Sequence, residues 1–507
     1  MNVENEEKSP VTGAMVSGTA RLWAAAAAVA AFGTWVMYDA QPGINWVLWT
    51  GAAAAGLVAL ARTRGAGGKS VLVTGAAATL IAGAAALTAS PLLHLLICAS
   101  VIVFLAMQML LAVNPSARSI TARFVVAAPV VAFRKAVVHG IRRGVEATDR
   151  IRSTRARAWV RGLAITLPVL IVFALLLAEA DPIFASWRDD VAKLFASWEF
   201  LPRVFFFTAL LGLVLGAYGY AARGNNDPLP TTESEPNRWL GSTERLMLLA
   251  AVAALLWLFL ALQLGYLFGN LPRAPSSGMT FAEFARRGFV ELTIVASACA
   301  VLILLSERYG QRGAHERIQR ILAFALITAV LLLLGSAFYR VRLYEAAYGF
   351  TTARLYAQAY MSVVAAGLLL LSLEVAGELD AGRLSRRTAA VATILFVALI
   401  YWNHEAWIAR RNIDRFATTG QLDVAYLTHE LSPDAIPAIA ERIPSLPEPT
   451  RSELRHAVRM RYAARHHMTE GRWYEWNLAR ARAREVLTTL ALLPVALRPG
   501  NSKSPPK

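Results

Sequence analysis

ILAFALITAVLLLLGSAF, residues 321–338, runs for eighteen positions with two hydroxyls and no charge. A hydrocarbon layer about 30 Å thick is crossed by roughly 20 residues of helix. Lipid leaves such a run no other structure, because every backbone N–H and C=O must find its partner inside the segment. The stretch therefore reads as a membrane-spanning helix. Ten further apolar segments approach the same length: Leu22 to Tyr38, Ile44 to Ala61, Val71 to Leu87, Leu92 to Val113, Leu163 to Ala180, Val204 to Ala222, Leu246 to Leu267, Phe289 to Ser306, Met361 to Ala376 and Ala389 to Trp402. The expected fold is all-α: a polytopic transmembrane bundle of about 11 helices with a small helical C-terminal extramembrane domain.

Composition agrees. The chain has 507 residues, 56% hydrophobic and 17% charged, against about 25% charged in soluble domains, which excludes a soluble enzyme. Its 51 Lys+Arg and 34 Asp+Glu give +17. That excess is divided among short connectors and not gathered on a polar domain, so it reports topology and argues against nucleic acid as a partner. Cys98 and Cys299 both sit in apolar runs, so neither a disulfide framework nor a cysteine metal site is available. The first residues carry Glu4, Glu6 and Glu7 and no basic n-region, so Leu22 onward is expected to be a retained helix and not a signal peptide.

Lys and Arg concentrate on alternate connectors, which places the N-terminus in the cytoplasm and, after eleven crossings, the C-terminus outside a bacterial cytoplasmic membrane. The organisation expected is a polar tail 1–21, helices 1–4 in 22–113, a basic connector 114–161, helices 5–6 in 162–222, a Pro/Asn-rich loop 223–244, helices 7–11 in 245–403, a helical module 404–497 and a tail 498–507. Within the connector, the apolar stretch Phe124 to Phe133 is too short to span, so it reads as an interfacial or re-entrant element. The basic run behind it, from Arg134 to Arg157, is expected to lie against anionic headgroups. In the module, Ser432-Pro433-Asp434 is a helix start with a Ser cap, Pro in the first turn and an acid beside it.

Several stretches resemble the bacterial membrane-protein family known as domain of unknown function 4173, and more loosely its relative numbered 4153. They are Phe281-Ala-Glu-Phe-Ala-Arg-Arg-Gly-Phe-Val-Glu-Leu292, Arg340-Val-Arg-Leu-Tyr-Glu-Ala-Ala-Tyr-Gly-Phe-Thr-Thr-Ala-Arg-Leu-Tyr356, Asn403 with Ala409 to Arg415, Leu422 to Leu427, Leu431 to Pro437, and Trp473 to Arg480. The likeness covers roughly residues 240 to 490. His404-Glu405-Ala406 departs from it, standing where the family has a proline-containing turn after Asn403. The resemblance implies a multi-pass bacterial membrane protein and no particular activity.

Polar residues gather in two outer segments. Arg340, Arg342, Tyr344, Glu345, Tyr348 and Arg354 lie within fifteen residues, and Glu283, Arg286, Arg287 and Glu291 are expected to face them. Such a cluster makes either a loop clamp or a pocket for an anionic headgroup or solute, since Arg binds phosphate and carboxylate bidentately. Glu291 and Glu374 lie near helix ends, where they reach headgroups or neighbouring arginines. His94, Gln108 and Gln263 are expected to make interhelical hydrogen bonds. In the module, Asn412, Arg415, Asp423, Tyr426, Trp473, Trp476 and Asn477 are candidates for holding a protein partner.

No phosphate loop, HExxH or GxSxG is present, so no cofactor, metal or catalytic residue is assigned. The leading reading is a membrane scaffold or sensor presenting its helical module to a protein or envelope partner. Membrane lipids are its surroundings. The alternatives are a transporter or channel for an anionic solute or lipid, and a membrane enzyme acting on lipid-linked substrates.

Overall fold

The structure, a computed structural model, describes residues 10–63, 68–113, 122–148, 200–223, 240–268, 281–311, 316–377, 380–463 and 471–489. Its long helices are α1 (Pro10–Met37), α2 (Ile44–Thr63), α3 (Lys69–Gly83), α4 (Pro91–Leu111), α5 (Ala122–Thr148), α6 (Phe200–Arg223), α7 (Ser242–Phe268), α8 (Phe281–Tyr309), α9 (Glu316–Tyr348), α10 (Thr352–Ala376) and α11 (Ala381–Tyr401). The module adds α12 (His404–Thr419), α13 (Ile436–Arg442), α14 (Thr450–Ala463) and α15 (Leu478–Thr489). Ten helices among the described residues are long and apolar enough to cross a membrane. The chain is an all-α polytopic bundle, as its apolar runs require.

Two helix groups divide the bundle, each with its own core. Ala26, Leu57, Leu110, Phe124, Leu215 and Tyr218 fill the first, formed by α1 to α6; Leu249, Ile303, Leu326, Val330, Leu333 and Leu368 fill the second, formed by α7 to α11. They meet where Ile81, Leu93 and Ile97 of α3 and α4 pack on Ile400 of α11, with Tyr356 and Phe396 beside them. Here the Tyr401 hydroxyl donates to the Leu80 carbonyl at 2.6 Å.

Several polar side chains inside the groups bond nearby backbone carbonyls. Gln108 donates to Ala54 O and Val71 O at 3.0 and 3.3 Å, the interhelical bond expected of it, and Tyr218 donates to Ala53 O at 3.1 Å. His94 instead bonds Thr88 O in the loop before its own helix at 2.9 Å. Gln263 lies on α7 with its side chain outside the described residues, and the apolar segment 163–180 lies outside them altogether. Glu374 is buried at the α10–α11 turn, where Arg383 reaches it at 2.6 Å and Arg387 at 3.0 Å, so the arginines near this helix end hold its charge.

One element differs from the sequence reading. The apolar stretch 124–133 does not stop at Arg134; it opens the 27-residue helix α5, long enough to cross. The reason is a stripe of small residues. Ala128, Ala132 and Ala136 are buried, Gly140 continues their four-residue spacing, and the stripe lies against Gly212 and Gly216 of α6. Close backbone approach replaces hydrophobic driving force where the surroundings are themselves apolar. Lys135 and His139 then lie against the Tyr220 ring of α6, at 5.8 and 5.3 Å. Of the other expected spans, 289–306 sits inside α8, whose apolar part is Ile294–Glu307.

A Cβ on Gly216 would land on the Ala136 carbonyl, whereas one on Gly212 would meet nothing within 4 Å. Gly216→Leu should therefore lower the thermal midpoint of the purified protein, at a cost of about 1–3 kcal/mol. Gly212→Ala should leave the midpoint nearly unchanged, and equal midpoints for the two variants would contradict this crossing.

Candidate functional site

Residues 404–463 and 471–489 close on a core of Ile408, Leu427, Ile436, Ile439, Leu454 and Leu487, the apolar faces of short helices. The module is also seated on one end of the bundle. Four connections gather there: the α1–α2 turn, the α3–α4 turn, the α9–α10 turn and the α11–α12 junction.

The module grips the first helix group through Trp476, Asn477, Arg480 and Asp434. The Ile44 N–H donates to Trp476 O at 3.1 Å. Asn477, 2% exposed, donates its Nδ2 to Ala85 O at 2.8 Å and Thr88 O at 2.6 Å, while its Oδ1 accepts from the Arg480 N–H at 3.0 Å and caps α15. Arg480 reaches across to Pro42 O at 2.7 Å. Asp434, 5% exposed, accepts from the Ala89 N–H at 2.6 Å, Ser432 Oγ at 2.7 Å and Thr88 Oγ1 at 3.2 Å. All three donors land on Oδ2. Trp35 of α1 lies against the Trp473 and Tyr474 rings.

It grips the second group through Asn412, Arg415, Tyr426 and His404. Asn412 mimics a backbone unit, accepting from the Phe350 N–H at 2.7 Å and donating to Phe350 O at 2.8 Å. Gly349 makes this approach possible: its φ is +84° and a Cβ would lie 2.7 Å from Asn412 Oδ1. Arg415 caps the free carbonyls of Ala346 and Ala347 at the C-terminus of α9. The Tyr426 hydroxyl accepts from the Thr352 N–H at 2.8 Å, and His404 shares a 2.9 Å hydrogen bond with Tyr356.

Between the two grips is a buried polar knot. Asn403 caps α12, accepting from the Ala406 N–H at 3.0 Å and donating to Asp434 O at 3.1 Å. Glu405, 3% exposed, accepts from the Ser432 N–H at 2.6 Å. Burial, with the Glu405 charge next, pushes the Asp434 carboxyl up to about 6 against the pull of its three donors. Burial lowers His404 and Arg480 and raises Tyr426. A cavity of about 200 Å³ opens beside the knot, with Asp434, Thr88 and Asn403 inside and Trp402, Arg410 and Arg482 around them.

The residues singled out from sequence fall in three places. Arg340, Arg342, Tyr344, Glu345 and Tyr348 do come together on the last turns of α9, with Arg354 on the first turn of α10. Arg354 lies 4.2 Å from the Tyr344 ring centroid and donates to Gly349 O, while Glu345 is buried. This geometry is the loop clamp: the cation closes a turn. Glu283, Arg286, Arg287 and Glu291 lie on α8, but their side chains are outside the described residues. Of the partner candidates, Asn412, Arg415, Tyr426 and Asn477 are spent inside the chain, and Asp423 Oδ1 accepts from the Tyr426 N–H at 2.8 Å. Trp473 and Trp476 remain half open at the rim, the former 62% exposed.

Sequence reasoning took Asp434 for a helix-cap acid and did not single out Thr88, His404, Glu405, Arg410, Arg480 or Arg482. His404 and Glu405 carry a signal, because they stand in place of a turn within a segment that resembles the family. The contact of Asp434 with Thr88, 346 positions away, left none.

The family described as Domain of unknown function (DUF4153) matches residues 75–442. The chain belongs to this family. Of the two relatives that the sequence resembled, this is the one matched, and the match runs from within α3 to the end of α13. It thus includes Thr88 and Ala89 on one side of the knot and Asp434 on the other. Comparison with curated proteins and with solved structures found no match.

Asn477→Ala takes the side-chain donor from the buried Ala85 carbonyl and leaves the Thr88 carbonyl with His94 alone, at a cost of about 1–3 kcal/mol. Limited proteolysis should then release the module faster than in the wild type, and an unchanged rate would remove this anchor from the account. The raised carboxyl of Asp434 adds a pH dependence with a fixed sign. An acid that binds its proton more tightly when folded contributes stability that is complete below the unfolded pKa and lost as pH rises to about 6. A carboxyl raised that far corresponds to about 3 kcal/mol. His404, lowered by burial, works oppositely, its contribution fading as pH falls below its ordinary value. Comparing Asp434→Asn with the wild type isolates the acid: the wild type should gain stability relative to the variant between roughly pH 6 and 4.

Proposed function

We propose that this multi-pass protein is a scaffold or sensor whose C-terminal module is its working part. One observation carries the reading: a single folded module grips both helix groups at once, through Asn477 and Asp434 on one and Asn412 and Tyr426 on the other. Any shift between the groups is transmitted to the module, and any load on the module is transmitted to the groups. The opposite end of the bundle carries Arg62, Lys69, Arg317, Arg320, Arg383, Arg386 and Arg387. The positive-inside rule then supports a cytoplasmic basic end and an external module in a bacterial cytoplasmic membrane.

The partner-facing surface in this reading is α14. His456, Arg459 and Met460 are exposed on it, while Leu454, Val458 and Tyr462 are buried in the module core. An acidic protein or envelope polymer suits this basic face. A second reading, a transporter or channel for an anionic solute or lipid, draws on the two separate cores, since alternating access moves one group against another.

Crosslinking in native membranes followed by purification and mass spectrometry tests the first reading, comparing wild type with an Arg459→Glu, Met460→Asp variant. Both substitutions are on the outer face, so the bundle and its seam should stay intact. A defined partner retained by the wild type and lost from the variant is expected; the same partner at equal yield from both would overturn display through this face.

A further inference from the structure

The cavity at the module–bundle junction has an unusual charge order. Its deep residue is the Asp434 carboxylate, whose Oδ2 takes all three hydrogen bonds and whose Oδ1 takes none among the described residues. Asp434 is almost wholly buried and lines the cavity. That second oxygen keeps its lone pairs for a further donor, and an ionised carboxylate is bound most strongly by a charged one. The outer residues have the opposite sign. Arg410 has only a loose 3.7 Å contact with exposed Glu441, and Arg482 has no acidic partner among the described residues. Apolar Leu87, Ile400 and Leu478 complete the wall, and Trp402 adds an aromatic face.

A simple anion would meet Asp434, and a simple cation would have to pass two guanidinium groups. A group that is cationic at its tip and anionic behind satisfies both. About 200 Å³ holds only a handful of heavy atoms. We propose that the junction cavity binds a zwitterion, its primary ammonium against Asp434 Oδ1 and its phosphate or carboxylate between Arg410 and Arg482. An ammonium has three donors for the free oxygen, and guanidinium groups pair with either anion bidentately. The ligand touches Asp434 from the module and Thr88 from the first helix group, beside Ile400 and Asn403 at the end of the second. Occupancy therefore stiffens the connection that the sensor reading requires, and the inference rests on that reading. Two sources share this chemistry: an aminophospholipid headgroup at the membrane surface and a free amino acid or phosphoethanolamine from solution.

The test uses the full chain in nanodiscs of phosphatidylcholine, with phosphatidylethanolamine then added to the bilayer, or with phosphoethanolamine or glycine titrated into the buffer. Thermal midpoint and tryptophan fluorescence are the readouts. A saturable rise with phosphatidylethanolamine alone assigns the headgroup; a rise with either soluble zwitterion assigns a free ligand. Asp434→Asn keeps an oxygen for the three donors but turns an amide toward the cavity, so apparent affinity should fall at least tenfold. Arg482→Gln, on an exposed side chain, should weaken binding by about tenfold, the loss of roughly 1.4 kcal/mol, and supplies the answer if Asp434→Asn folds poorly. No response to any of the three amines, or wild-type affinity in Arg482→Gln, overturns the proposal. Partner capture through α14 that persists in such a case would show that the ligand assignment had failed and the sensor reading had not.

Discussion

Two buried polar side chains, the Asn477 amide and the Asp434 carboxylate, hold the turn between α3 and α4 against the module, and the arrangement of that end depends on them. Neither group would tolerate burial alone, since each loses its water on docking. Their partners are the free backbone groups of a helix-ending turn: Ala85 O, Thr88 O and the Ala89 N–H. Those groups lie outside the helical ladders, and apart from the His94 ring on Thr88 O it is the module that supplies their partners. Turn and module thus satisfy each other's polar groups. The dependence is reciprocal, so the module is part of the fold and not an appendage on a tether.

The same logic repeats on the second helix group with different residues. Arg415 supplies donors to the C-terminal carbonyls of α9, Tyr426 accepts the Thr352 N–H at the start of α10, and Asn412 pairs both backbone groups of Phe350. Helix ends are where a membrane bundle is polar, so a polar module recognises helix ends. The helix sides follow a different rule, seen in the Ala136/Gly140 stripe against Gly212 and Gly216, where closeness of backbones does the holding.

That division explains what the sequence discloses. Apolar runs set by bilayer thickness are local, so α9 is evident from residues 321–338 and the all-α class follows. Helix α5 is not evident, because its crossing depends on a groove in α6 more than sixty positions away; only the spacing of Ala128, Ala132, Ala136 and Gly140 hints at it. Asn412 and Asn477 were recognisable as special polar residues in an ordered module. Their destination was not, since an amide that grips a partner protein and one that grips its own chain have the same composition and spacing. The Arg354–Tyr344 clamp was legible as a cluster, and its role followed once the carbonyl of Gly349 was seen to be the acceptor.

The choice between a static brace and a responsive element turns on the character of the knot. A brace is best built from apolar residues, because replacing buried charges by hydrophobic groups of equal volume is neutral or stabilising. This junction instead buries Asp434 beside Glu405, with His404, Tyr356 and Arg480 around them, and leaves a cavity open at its edge. Two acids packed together hold free energy that a proton or a cation can release, and Asp434, raised to about 6, stands within reach of both. Such a knot is a poor permanent fastening but a sensitive one. Under the sensor proposal, its position across both helix groups is what would let neutralisation of the carboxylate change how firmly the two halves of the bundle are joined.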